Sequence, residues 1–167
     1  MGAASIWNYA CDGHYTTIII GRENAMHNVL VPFDGSPSAK RAIQYLVDSA
    51  RSNPNLSVHV INVQTEPTFF GNYGSASMIE QFNAAALEHA GVINAEAVAL
   101  LGAAKIRCQS HEMLGDVVAE VTQAAAKYGC DTVVMGTRGM SSLGNLVMGS
   151  VANRVVHEVP VPVLLVK

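Results

Sequence analysis

Asn28-Val29-Leu30-Val31-Pro32-Phe33-Asp34-Gly35-Ser36-Pro37 decides how the rest of the chain is read. Its first half is a short apolar run closed by proline, the pattern of a strand buried on both faces. Ser36-Pro37 then supplies a helix N-cap and a proline at the first helical position. Ala39, Ala42, Ile43, Leu46, Val47 and Ala50 follow at helical spacing and form one apolar face. Asn53-Pro54-Asn55 stops that helix.

Further along, the same alternation repeats. Residues 57–63 are a second strand rich in Val and Ile. Pro67, Gly71 and Gly74 mark a loop over 64–76. The spacing of Ser77 and Glu80 is that of a capping box and predicts a long helix from there to about Leu101, ended by Gly102. Residues 104–110 read as a weaker third strand. A helix is expected over 116–128, with Gly129 as its stop. Residues 132–135 form a fourth strand, 150–158 a short helix and 162–166 a fifth strand. Alternating strands and helices with near-continuous apolar strands predict an α/β fold: a doubly wound five-stranded parallel sheet, strand order 3-2-1-4-5, with helices on both faces.

Upstream, residues 1–25 have no amphipathic period and hold the sole tryptophan, Trp7. They are expected to be a peripheral extension of one domain spanning 26–167. The run Thr16 to Ile20 is too short for a secretory signal.

The composition narrows the function. Of 167 residues, 50% are apolar and 14% charged, so a disordered chain is excluded. The net charge of −3 leaves no broad basic face, and nucleic acid is not an expected partner. Glu88, His89 and Glu96 interrupt the longest apolar stretch, so no membrane span is expected. Cys11, Cys108 and Cys130 form no CxxC pair and fit free thiols in a reducing, cytoplasmic setting.

In a doubly wound sheet, ligands bind beyond the carboxyl ends of the strands where the strand order reverses. That point lies after strands one and four. Asp34 follows strand one, where it either accepts hydrogen bonds from a ligand or makes a turn-capping bond. After strand four, Gly136, Gly139 and Gly149-Ser150 fall in the spacing G-x2-G-x9-G-S. Small residues let the backbone approach a ligand. Gly149-Ser150 opens a helix whose free amides and dipole attract an anion. The whole reads as a phosphate cradle that needs no lysine. The sequence has no G-x-x-x-x-G-K-[ST] loop, no G-x-G-x-x-G after strand one and no G-x-S-x-G elbow.

Over residues 26–167 the chain resembles the universal stress protein family, through Val29 to Ser36, Gly136-Thr137-Arg138-Gly139, Gly149-Ser150 and the ending Pro160 to Val166. The glycine spacing is that of the ATP-binding branch. The resemblance implies a site for ATP, with Mg²⁺, held on the phosphates and not by a protein metal site alone. Pro32, Phe33 and Asp34 would line the adenosine end, and Val63 would offer backbone groups to adenine. Met135 and Gly136 would close over the nucleoside. Arg138 and Gly139 would approach the phosphates, and Gly149, Ser150 and Val151 would hold them, with Asn145 a weaker contact. The resemblance also implies a homodimer through the last strand, Val163–Val166, and a regulatory switch in stress response.

No catalytic residue is expected. A general base or arginine finger would mark slow ATP hydrolysis or nucleotidyl transfer in the same cleft, and neither is found. The same residues also suit a structural dimer with an empty cleft, or a site for AMP. The adenosine-binding domain of electron-transfer flavoproteins is related, but the chain is too short for that assembly. The six histidines show no metal spacing: His59 falls in a strand, His89 and His157 on helices, and His14, His27 and His111 in loops or ends. Cys108 and Cys130 read as buried thiols. Phe69, Phe70 and Tyr73 read as either a lid or a packed loop.

Overall fold

A computed structural model describes residues 26–66, 75–139 and 148–167. The extension over 1–25, the aromatic residues Phe69, Phe70 and Tyr73, and Asn145 lie outside the described residues.

Nine elements alternate along the described residues: β1 (Asn28–Pro32), α1 (Pro37–Ser49), β2 (Ser57–Gln64), α2 (Ala76–Ala103), β3 (Arg107–Leu114), α3 (Val117–Lys127), β4 (Thr132–Gly136), α4 (Ser150–Glu158) and β5 (Val163–Val166). The strands form one parallel sheet in the order β3-β2-β1-β4-β5. Neighbouring side chains on a strand point to opposite faces, so each strand feeds two cores. Val29, Val31, Val58, Val60, Val134, Leu164 and Val166 pack under α1 and α2. Leu30, Ile61, Val133, Met135, Val163 and Leu165 pack under α3 and α4. This two-sided burial is why the strands lack a polar alternation.

Ser36 caps α1 as expected, its Oγ accepting from the Ala39 amide at 3.2 Å. Asp116 caps α3, accepting from the Ala119 amide at 3.0 Å. At α2 the sequence misleads. Its N-cap is Ser75, whose Oγ accepts from the Met78 amide at 3.2 Å, and the Ser77–Glu80 spacing caps nothing. Nor does Gly102 end the helix. The turn is made at Lys105, in the left-handed region at φ 59°, with its amide bonded to the Gly102 carbonyl at 2.9 Å.

In consequence β3 starts later and runs further than local pattern suggests. All eight of its residues pair with Ser57–Gln64. The ladder with β2 therefore sets its extent. The polar residues His111 and Glu112 hide the second half of this edge strand, so His111, expected in a loop or at an end, lies inside it. By length and composition α2 could cross a membrane. Here its C-terminal half lies along the sheet, burying Ala90, Asn94, Ala97 and Leu101, with Lys40 of α1 paired to its Glu96 at 2.7 Å.

Candidate functional site

β1 and β4 are neighbours, and their connections leave in opposite directions across the sheet. A crevice must open beyond their carboxyl ends. A cavity of about 420 Å³ lies there, within the usual range for small-molecule sites. Pro32, Phe33, Asp34, Val63, Met135, Gly136, Arg138, Gly139, Gly149, Ser150 and Val151 all line it. Every residue that the resemblance assigns to the nucleotide, Asn145 aside, is thus brought to one place. Ala39, Ile61, Asn62, Val117 and Ala152 complete the lining.

The β1 wall is held by hydrogen bonds from β2. The Phe33 amide donates to the Ile61 carbonyl at 2.9 Å, and the Asn62 side-chain amide donates to the Phe33 carbonyl at 2.7 Å. Asn62 is buried, and its Oδ1 accepts from Gln64 Nε2 at 2.6 Å. Sequence reading missed Asn62. The available signal was a polar residue interrupting the apolar run Val60-Ile61-Asn62-Val63, at the level of the crevice. The two roles open to Asp34 are compatible. Its Oδ1 accepts from the Ser36 amide at 3.0 Å, making the turn, and the residue also faces the cavity.

Two glycines stand at points of close approach. A Cβ on Gly136 would sit 2.6 Å from the backbone and hydroxyl of Ser38, so the start of α1 lies directly on the end of β4. A Cβ on Gly139 would sit 2.9 Å from Asp34 Oδ2. The Gly139 backbone therefore shelves the carboxylate. The Arg138 carbonyl accepts from both Ser36 Oγ, at 3.3 Å, and Ser38 Oγ. That fixes the first turn after β4 to the first turn of α1.

The Gly149 amide donates to the Thr137 carbonyl at 2.8 Å and brings the far end of the loop back to β4. Gly149 is the N-cap of α4 and makes no side-chain capping bond. The amides of the first helical turn have no intrahelical acceptors, and Ser150, Val151 and Ala152 border the cavity. A phosphate group at this helix start would meet aligned N–H groups and the positive end of the dipole. Beside it, Arg154 forks onto Asp116 at 3.1 and 3.2 Å and reaches Glu158 at 3.0 Å. The Asp116 carboxyl is held below the usual carboxylate range, first by its hydrogen bonds from Arg154 and then by the Ala119 amide.

Asp34 and Arg138 are the charged residues of the lining; no His, Cys, Lys or Tyr is among them. Among the described residues no three His, Cys, Asp or Glu side chains gather to hold a metal. The site can bind through backbone amides, one carboxylate and apolar walls.

The model of the universal stress protein family matches residues 26–167. The chain belongs to that family. A universal stress protein of Thermus aquaticus is 34% identical over 139 residues, covering 83% of this chain and 97% of its own length. A second universal stress protein, from Methanocaldococcus jannaschii, is 32% identical, covering 90% of this chain and 88% of its own. Among solved structures, the universal stress protein UspA of Lactobacillus plantarum superposes with a TM-score of 0.70 at 20% identity, covering 86% of this chain and all of that one. A universal stress protein in complex with cAMP gives a TM-score of 0.62 at 23% identity, covering 86% and 98%. A family member from Arabidopsis thaliana with AMP bound gives 0.55 at 20% identity, covering 84% and 90%. The five-stranded order and the helices on both faces are the universal stress protein fold.

Proposed function

We propose that this universal stress protein binds an adenine nucleotide in the crevice beyond β1 and β4, with ATP as its ligand and occupancy as a regulatory signal. One observation carries the reading: the eleven residues that the family resemblance assigns to the nucleotide line a single cavity with the N-terminus of α4 at its border. The AMP- and cAMP-bound relatives support an adenine ligand. The adenosine end falls against Pro32, Phe33, Asp34 and Val63. The phosphates fall toward Gly139, Gly149 and Ser150, where a cradle with small side chains and free amides fits them. Mg²⁺ would be held by phosphate oxygens and water, as that ion favours, with the protein adding at most one carboxylate.

The reading is non-enzymatic. The lining offers no lysine or histidine, and Asp34 is its one carboxylate. A switch of this kind acts through a partner surface, and β5, at the sheet edge, is the proposed seam of a homodimer. A cytoplasmic setting is part of the same proposal.

The test is direct. Denaturing the purified protein should release ATP, identified by mass spectrometry. Calorimetric titration of the stripped protein should then show ATP with Mg²⁺ binding more tightly than ADP or AMP. Tighter binding of AMP would move the reading to a monophosphate site. Absence of both released nucleotide and binding heat would refute it.

A further inference from the structure

On the α3 face of the sheet, away from the crevice, His59 of β2 and His111 of β3 meet. His59 Nδ1 and His111 Nε2 are 2.9 Å apart, and the two rings are within 15° of parallel. The ring centres are 5.2 Å apart. With the bonded nitrogens so much closer than the centres, both nitrogens lie between the rings and the bond runs end to end. Lone pairs aimed along one line hold a shared proton and do not converge on a metal ion.

The Tyr128 ring roofs both imidazoles. Its centre is 4.0 Å from that of His111 and 4.9 Å from that of His59, nearly parallel to each. The Tyr128 and Gly129 carbonyls accept from the Asn28 side chain at 2.7 and 3.2 Å, tying this corner to β1. Three elements therefore meet at the pair: the edge strand β3, its neighbour β2, and the C-terminus of α3.

We infer that His59, His111 and Tyr128 form an acid-sensitive latch, which holds edge strand β3 and the end of α3 closed until both imidazoles are protonated. The chemistry sets a threshold of two protons. In the neutral pair one ring donates and the other accepts. A first proton, taken on an outward nitrogen, leaves that bond intact and places an imidazolium under an aromatic face, which tolerates it. A second proton removes the acceptor and puts two cations at hydrogen-bonding distance in a half-buried corner.

The surroundings act in the same direction. Burial lowers the pKa of His59. For His111 burial lowers it most, His59 and Lys127 lower it further, and Glu112 opposes. Lys127 sits 5.2 Å over the Tyr128 ring. Leu30 on β1 and Gln109 on β3, the lateral neighbours of His59, carry no charge. On the opposite face Asn94 of α2 bonds the His111 carbonyl and Glu112. Because both histidines prefer the neutral form when folded, the pair's stabilisation is complete above the ordinary histidine value of about 6.5 and is lost as pH falls below it. The two titrations belong to the pair rather than to either ring.

Hydrogen exchange of the full chain, expressed as protection factors at about pH 7.5 and about pH 5, tests the latch. Protection over β3 and the end of α3 should fall about tenfold or more at the lower pH, with β1 and β4 unchanged. The variant His59→Phe/His111→Phe keeps a ring stack under Tyr128 but cannot titrate, and should lose this difference. The single variant His111→Gln, which can still bond His59, should also lose it. Imidazole ¹⁵N spectra should show two separated steps, with the loss of protection following the second. Equal protection at both pH values, a pH response that survives in the variants, or a single unperturbed titration step would each overturn the proposal.

Discussion

The Asn62 side-chain amide holds the Phe33 carbonyl at 2.7 Å, so the chain leaves β1 with both of its Phe33 backbone groups bonded to β2. Phe33 and Asp34 are thereby aimed into the crevice by a neighbouring strand. Replacing Asn62 with Ala strands a buried carbonyl and should cost about 1–3 kcal/mol of stability. Chemical denaturation measures this. Nucleotide affinity should fall as well, since Asp34 loses its support; a variant of wild-type stability would show that the bond is idle.

Gly136 admits no side chain. Gly136→Ala forces a methyl group to 2.6 Å from the Ser38 backbone, and overpacking of this kind costs about 1–3 kcal/mol or more. The thermal midpoint should drop. Ser38→Gly/Gly136→Ala relieves only the side-chain part of the clash and should recover less than half of the loss.

Asp34 and Gly139 should behave as a unit. Asp34→Ala should weaken adenosine and ATP binding alike by about 1–3 kcal/mol. Gly139→Ala pushes the Asp34 carboxylate from its shelf and should weaken the same ligands without unfolding the protein. Combining the two should cost little more than Asp34→Ala alone. Additive losses in calorimetry would separate the residues. Gly149→Val differs in kind: its Cβ would rest in ordinary contact on Thr137 and Arg138, 3.4 and 3.5 Å away, so the fold should hold while the added bulk stands at the phosphate end. ATP affinity should fall while adenosine affinity holds.

The Cys130 thiol is pushed up to about 11, by burial first and by Asp131 second. Burial raises Cys108 in the same direction. Since the thiolate is the nucleophile, native Cys130 should resist alkylation at about pH 8 and react only once the chain unfolds. Mass spectrometry of timed labelling distinguishes this from a reactive thiol, which would be modified at the unfolded rate.

Much of this architecture is legible in the residues. Apolar strands, Ser36-Pro37, Asp116 and Gly129 mark their own elements, and their alternation under right-handed crossovers makes the sheet doubly wound. The crevice glycines stand out because binding through backbone leaves them at fixed spacing, whereas Pro32, Phe33, Val63 and Val151 are reached only through the family resemblance. What stays hidden depends on partners remote in sequence. The extent of β3 is dictated by its ladder with β2. At α2 two serines compete for one role, and Ser75, not Ser77, supplies the capping oxygen. Asn62 and the His59–His111 pair look like stray polar residues until β2 lies between β1 and β3. Lys105 takes a left-handed turn where Gly102 is the residue that local pattern favours.

The bond from Ser36 to the Arg138 carbonyl spans 102 positions, and that from Asn28 to Tyr128 spans 100. Closures this remote are entropically late events in folding. A chain emerging from the ribosome can build β1, α1 and β2 early, yet it owns no pocket until β4 and α4 have been made. Ligand capture is thus a property of the finished molecule alone. A ligand that binds only the finished form would draw the folding equilibrium toward it, coupling the abundance of intact protein to the cell's supply of that ligand.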